Sequence, residues 1–268
     1  MTNDTTLAAA ARAVAESLLE TPPDVLPPLP MMKTIGSPSV EHYLTNMRQY
    51  VSDLIVEARL EPDARILDIG SGCGRIATAF TRYLQPGGTY TGVDVWDEGV
   101  RWCTDHITQN HPDFTFRLVP ASNNYYYAAD SGEPNQFDLS YLPSGGFDGI
   151  FALSVFTHLR LVDARQYFAL IHRLLDRDGL AYLTFFVIDE DSRRFVRETG
   201  QHRELAPAGD GMWYAYAKQW FFSGYEEPLL LSLFDEYGLE VCKRSAGLWA
   251  RKPGGRLWQD WFLVRRRN

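Results

Sequence analysis

A chain of 268 residues, 45% hydrophobic and 22% charged, can bury a core without covalent staples and fits one large domain, or one domain with a modest cover. Its three cysteines, Cys73, Cys103 and Cys242, are odd in number and follow no zinc-ligand spacing, which excludes a disulfide scaffold and a structural zinc and points to a reducing, cytoplasmic setting. The net charge of −8 argues against broad contact with nucleic acid, no apolar run approaches the ~20 residues of a membrane span, and the N-terminus lacks a secretory pattern.

In chain order, Leu7, Ala11, Val14 and Leu18 predict a helix over 7–20. Five prolines in 21–30 predict a stiff, extended link. A second helix is expected over 40–60, where Tyr43, Met47, Val51, Leu54 and Ile55 form one stripe. The first 60 residues thus read as a helical extension, a lid or an extra layer. From Ala64 the pattern becomes strand, turn, helix, repeated. Strands are expected over 65–69, 90–95, 114–119, 147–153 and 180–187. The helices between them are expected over 75–84, 98–110 and 164–175, with a long loop over 120–146. Residues 189–227, rich in charge and aromatics, read as an insertion. A last helix over 229–237 and two strands over 239–246 and 258–265 close the chain. This alternation predicts an α/β fold over 61–268. Its sheet would be doubly wound, mostly parallel and seven-stranded, with helices on both faces and an antiparallel C-terminal hairpin.

The segment Ile66-Leu67-Asp68-Ile69-Gly70-Ser71-Gly72-Cys73-Gly74-Arg75 runs from a buried strand through a tight turn into a helix. Glycines there allow backbone angles other residues resist and let a ligand lie against the main chain. A dinucleotide fingerprint would require glycine at position 75, where arginine stands, and no Gly-Lys-Ser/Thr follows for a phosphate loop. Asp94, ending the next strand about 20 residues on, is placed to accept hydrogen bonds from ribose hydroxyls.

These residues resemble the class I S-adenosylmethionine-dependent methyltransferases of small-molecule type. The resemblance continues in Gly92-Val93-Asp94-Val95, in the run from Phe147 to Leu159 and in Arg173-Leu174-Leu175-Asp176-Arg177-Asp178-Gly179-Leu180. It implies S-adenosylmethionine as cofactor. Asp68, Gly70, Ser71, Gly72 and Gly74 would form the cradle, with Gly70 and Gly72 at the methionine end. Asp94 would hold the ribose, Val95 and Trp96 border the adenine, and Leu153, ending the expected fourth strand, would also touch the cofactor. Many members hold the adenine amino group with an acid after strand three. Here that stretch is Val119-Pro120-Ala121-Ser122-Asn123-Asn124, with no acid, so Ser122 or Asn123 would be the substitute.

Methyl transfer to a hydroxyl needs alignment, exclusion of water and removal of a proton. His158, on the loop after strand four, is the candidate base, since an unperturbed pKa of roughly 6.5 suits proton acceptance near neutrality. Its other reading is a helix-start histidine bonded to the backbone. His202, in the inserted segment, is the second candidate. Tyr125-Tyr126-Tyr127 and Trp213-Tyr214-Ala215-Tyr216 with Trp220-Phe221-Phe222 are candidates for an acceptor pocket. Arg193, Arg194 and Arg197 read as a solvated helix face, and Arg265-Arg266-Arg267 as a solvated end. Asp138, Asp148 and Asp189 are too scattered for a hard-cation site, so no metal is expected. The expected partner is a small-molecule acceptor, with O-methylation favoured. Small-molecule N-methylation, a non-catalytic cofactor-binding subunit and a homodimer remain open.

Overall fold

Proline fixes φ near the helical value and lacks an N–H that a first helical turn leaves unused anyway, so it can open a helix as well as forbid one. In the computed structural model, which describes Ser17 and residues 23–119, 139–217 and 220–267, the proline-rich link ends in this way. Its last two residues begin helix α1, Leu29–Thr34, with Pro30 in the first turn. Ser39 then caps α2, Val40–Glu57, by accepting from the His42 N–H at 3.1 Å. Of the helix expected over 7–20, only Ser17 is among the described residues, and it is helical.

The chain forms two units, residues 1–119 with 147–149, and residues 120–146 with 150–268. In the first, β1 (Arg65–Ile69), β2 (Thr89–Asp94) and β3 (Phe114–Leu118) run parallel in the order β3-β2-β1. The expected helix over 75–84 shrinks to α3, Ala77–Phe80. Thr78 and Thr81 return their hydroxyls to the carbonyls three residues back, at 3.1 and 2.8 Å, which favours tight turns over a long helix. The next helix, α4 (Asp97–Cys103), continues into a π-turn over Thr104–Thr108. Tyr90, Phe80, Phe114 and Phe116 pack the centre of this unit.

Strand β4 (Phe147–Ala152) is divided between the units. Its Asp148 accepts from the Arg65 backbone N–H at 2.8 Å and from the guanidinium at 2.6 and 3.0 Å, so this acid ties strand to strand. Those bonds hold its carboxyl below the ordinary carboxylate range.

The second unit contains α5 (Leu161–Leu174), β5 (Leu175–Ile188), α6 (Glu190–Thr199), β6 (Ala206–Gly209), β7 (Met212–Ala217), β8 (Trp220–Glu226), α7 (Glu227–Glu236), β9 (Leu239–Ser245) and β10 (Asp260–Arg266). The expected C-terminal hairpin is present: β10 pairs antiparallel with both β5 and β9. The segment read as an insertion supplies three further strands. β8 joins β5 in parallel, β7 returns beside β8, and β6 beside β7, which raises the strands among the described residues to ten where seven were expected. The architecture remains a mostly parallel α/β sheet flanked by helices. Among the described residues no helix is long and apolar enough to cross a membrane.

Lys252, 5% exposed, anchors the start of β10 to the end of β5. It donates to Val187 O and Asp260 Oδ1 at 2.8 Å and pairs with Asp189 at 2.9 Å. Asp260 also accepts from the Gly247 N–H, the Val187 N–H and the Trp249 indole, so the buried charges are fully engaged. The terminal arginines are engaged too, Arg265 by Glu240, Arg266 by Leu175 O and Arg267 by Asp235. Arg193, Arg194 and Arg197 likewise face Glu226, Asp191 and Glu190, which leaves neither cluster as an open basic patch.

Candidate active site

Register brings the two sequence signals of the first unit together. Asp68 lies opposite Gly92 and Ile69 opposite Val93, so β1 and β2 end level with one another. The Gly70 and Ser71 N–H groups donate back to Val93 O at 2.8 and 3.2 Å, turning the chain sharply. Gly70, Gly72 and Gly74 have φ of 83°, 55° and 75°, values that a side chain resists. Asp94 then reaches across. Its Oδ2 accepts from the Gly72 N–H at 2.6 Å and its Oδ1 from the Trp96 N–H at 2.8 Å. Burial raises the Asp94 carboxyl, and bonds from the Gly72, Trp96 and Val95 backbone oppose the rise. A carboxylate has about four lone-pair positions, so these backbone donors still leave capacity for a ligand hydroxyl.

The glycines also divide by role. A Cβ on Gly99 would stand 2.5 Å from Gly72 O, and one on Gly74 would meet Ile107 and Cys103 at 2.7 and 3.0 Å. Both therefore serve the close approach of α4 and its π-turn to the turn. A Cβ on Gly72 would meet Ile35 at 3.0 Å, so the segment after α1 lies against the cradle. The buried hydroxyl of Ser71 has no hydrogen-bond partner. Burial pushes the Asp68 carboxyl up to about 7. The Tyr90 hydroxyl, donating at 2.5 Å, opposes that rise, Asp94 adds to it, and Arg75 opposes it. Val95 and Trp96 are half-buried at the mouth of the turn. The thiols of Cys73 and Cys103 are pushed up by burial, the first to about 12, and stay protonated and unreactive.

These residues fit a nucleoside cofactor carrying an amino-acid end. The turn offers bare main chain and an orphaned hydroxyl, and the Asp94 carboxylate stands beside it. Ser122, Tyr125, Tyr126, Tyr127 and Asp138 lie outside the described residues. Among those described, no group of three histidines, cysteines or acids could hold a metal ion.

In the second unit, Leu153 is buried after β4, and Ser154 follows with φ of 61°, uncommon for a residue with a Cβ. Its N–H donates to Thr184 Oγ1 at 2.8 Å and its hydroxyl to Gln259 at 3.2 Å, which hold the strained turn in place. The 3₁₀ turn Phe156–His158 comes next, and β8 fixes it. Ser223 donates to Leu159 O at 2.6 Å, Tyr225 to Phe156 O at 2.9 Å, and His158 Nδ1 lies 2.7 Å from Phe221 O. A carbonyl only accepts, so Nδ1 carries the proton and the neutral ring has its lone pair on Nε2. Burial lowers the His158 pKa against the opposing pull of that carbonyl.

His202 sits in the turn after α6 with φ of 55°. A row of rings connects the two histidines: His158 to Phe222 at 5.2 Å, Phe222 to Phe186 at 6.4 Å, Phe186 to Trp249 at 5.2 Å and Trp249 to His202 at 5.8 Å. Trp258, 54% exposed, continues it from His202 at 6.3 Å. Reading the sequence found Phe222 but missed Phe186, Trp249 and Trp258, because strand pairing and the return of β10 align them. The one visible signal was the density of aromatics in 213–222 and 249–262.

The family described as "Methyltransferase domain" matches residues 43–243, about three quarters of the chain. The chain belongs to this family. Solved structures agree on the fold. The PH0226 protein of Pyrococcus horikoshii is 12% identical, with 85% of this chain and 93% of that one covered and a TM-score of 0.59. The 1,6-didemethyltoxoflavin-N1-methyltransferase of Burkholderia thailandensis, solved with its substrate and S-adenosylhomocysteine, is 18% identical over 92% and 94%, with a TM-score of 0.54. A methyltransferase from Methanosarcina mazei is 15% identical over 80% and 97%, with a TM-score of 0.51. S-Adenosylmethionine is the cofactor of methyltransferases of this fold.

Proposed function

We propose that this methyltransferase transfers the methyl group of S-adenosylmethionine to a hydroxyl of a small, ring-bearing acceptor, with His158 as general base. The cofactor, when bound, supplies an electrophilic sulfonium methyl. Gly70, Ser71, Gly72 and Gly74 with Asp68 would hold its amino-acid end, Asp94 its ribose, and Val95 and Trp96 would border its base. Ser122 and Leu153 complete the proposed set. Of the two histidines, His158 is the better base, because its Nδ1 is committed to a carbonyl while His202 is packed among Phe195, Trp249 and Trp258. That His158 bond is the observation that carries the reading. The row of aromatic rings supports a flat acceptor, since rings stack with offset faces.

The test is S-adenosylhomocysteine release with a panel of phenols, sugar hydroxyls and amines. The expected result is turnover on a ring hydroxyl and a loss of about 10²–10⁴ in kcat on His158→Gln with little change in KM. A lowered pKa places the acid limb of the rate profile below the ordinary histidine value. Activity should fall only as pH drops through that limb, and the limb should vanish in the variant. A small amine is the second acceptor class, and turnover on amines alone would assign N-methylation. Full activity of His158→Gln on a hydroxyl would remove the base.

A further inference from the structure

Arg75 follows the third glycine directly, where a dinucleotide site would have glycine. Arg65, Arg82 and Arg101, in the same unit, each hold a carboxylate at 2.6, 3.1 and 2.6 Å. Arg75 does not. Its one hydrogen bond runs to the hydroxyl of Ser37 at 3.3 Å, its Cζ lies 5.8 Å from the centre of the Tyr50 ring, and its Nε is buried with no partner. A guanidinium presents five N–H donors, so four are unspent, and shielding such a charge without an anion is costly. Ser37 is fully buried, and its neighbour Ile35 lies against Gly72, so the guanidinium is gathered under the segment that covers the cradle.

Two charges of opposite sign therefore belong to this one turn. Asp68 precedes the glycines and Arg75 follows them, near enough that each acts on the other electrostatically. The amino-acid end of the proposed cofactor is a zwitterion, and an ammonium and a carboxylate are the complements of these two side chains.

We propose that Arg75 is the carboxylate-binding residue of the cradle, exchanging its long bond to Ser37 for a forked ion pair with the α-carboxylate of the cofactor. This rests on the cofactor reading given above. Arginine suits the role because its planar fork matches a carboxylate with two parallel bonds, and its charge survives burial. Ser37 and the Tyr50 ring hold the guanidinium before the ligand arrives.

The test is calorimetric binding of three probes to the full chain and to Arg75→Met. The probes are S-adenosylhomocysteine, its decarboxylated counterpart, which keeps the amine, and 5′-methylthioadenosine, which lacks the whole amino-acid end. The unaltered protein should prefer S-adenosylhomocysteine over the decarboxylated probe by about ten- to a hundredfold. In Arg75→Met that preference should fall below about threefold, while affinity for 5′-methylthioadenosine, which never meets Arg75, should stay within about twofold. If Arg75→Met fails to fold, Arg75→Lys replaces it. A point charge without the fork should reduce the preference without abolishing it. A full preference in either folded variant, or none in the unaltered protein, overturns the assignment. Binding of none of the three probes by folded protein overturns the cofactor reading instead, a distinct result.

Discussion

The glycine turn and the row of aromatic rings make an instructive pair. The turn is written in ten consecutive residues, 66–75, whose angles and spacing restrict what they can hold, and only Asp94 must be brought in from the neighbouring strand. The aromatic row draws Phe186 and Phe222 from two strands, Trp249 from a short 3₁₀ turn and Trp258 from a loop, and no two are adjacent in sequence. Local chemistry specifies the first, and pairing between distant strands specifies the second. Stability should therefore depend most on the groups that organise the second unit, and ligand affinity most on groups within the first.

The largest expected effect breaks that comparison from the side of the second unit. Lys252→Met leaves Asp189 and Asp260 without their cation and should cost about 3–5 kcal/mol in denaturant unfolding. A smaller loss would show that the β5–β10 junction does not depend on this pair. Next, Gly99→Val drives a side chain against the Gly72 carbonyl. It should cost about 1–3 kcal/mol of stability and abolish measurable S-adenosylhomocysteine binding. Retained affinity would mean that the turn tolerates displacement. Asp94→Asn keeps the shape and removes the charge. It should weaken binding by about 1.5–3 kcal/mol, the range for hydrogen bonds to charged groups. An unchanged affinity in folded protein would remove the ribose assignment.

The remaining effect is one of pH. Asp68 has its folded pKa raised to about 7, above its unfolded value, so the native state binds that proton more tightly. Its contribution is fully present below the unfolded pKa and is lost as pH rises through about 7. The Tm of ligand-free protein should fall over that window, and Asp68→Asn should flatten the slope. An identical slope in the variant would assign the dependence to another group.

How far the sequence could be read follows from the same contrast. Alternating strands and helices made the parallel sheet legible, and Gly70, Gly72, Gly74 and Asp94 made the cradle legible, because each signal lies within one strand-turn-helix step. The start of α1 was hidden because Pro30 marks a helix entrance as readily as an extended link. The shortening of α3 was hidden in threonine hydroxyls that compete for backbone carbonyls. Residues 206–226 were illegible as strands because their alternation is broken by Gly211 and Gly224 and crowded with aromatics. Yet β8 is the element that orients His158, so the segment read as an insertion holds the candidate base in place.

The central claim, that the 70–74 turn with Asp94 is a binding site for the adenosyl cofactor, is most directly tested by titrating S-adenosylhomocysteine into the folded chain and following amide signals by NMR. Saturable one-to-one binding is expected, with the largest shifts at Gly70, Ser71, Gly72 and Trp96. Saturable binding with those signals unmoved, or no binding, would contradict it.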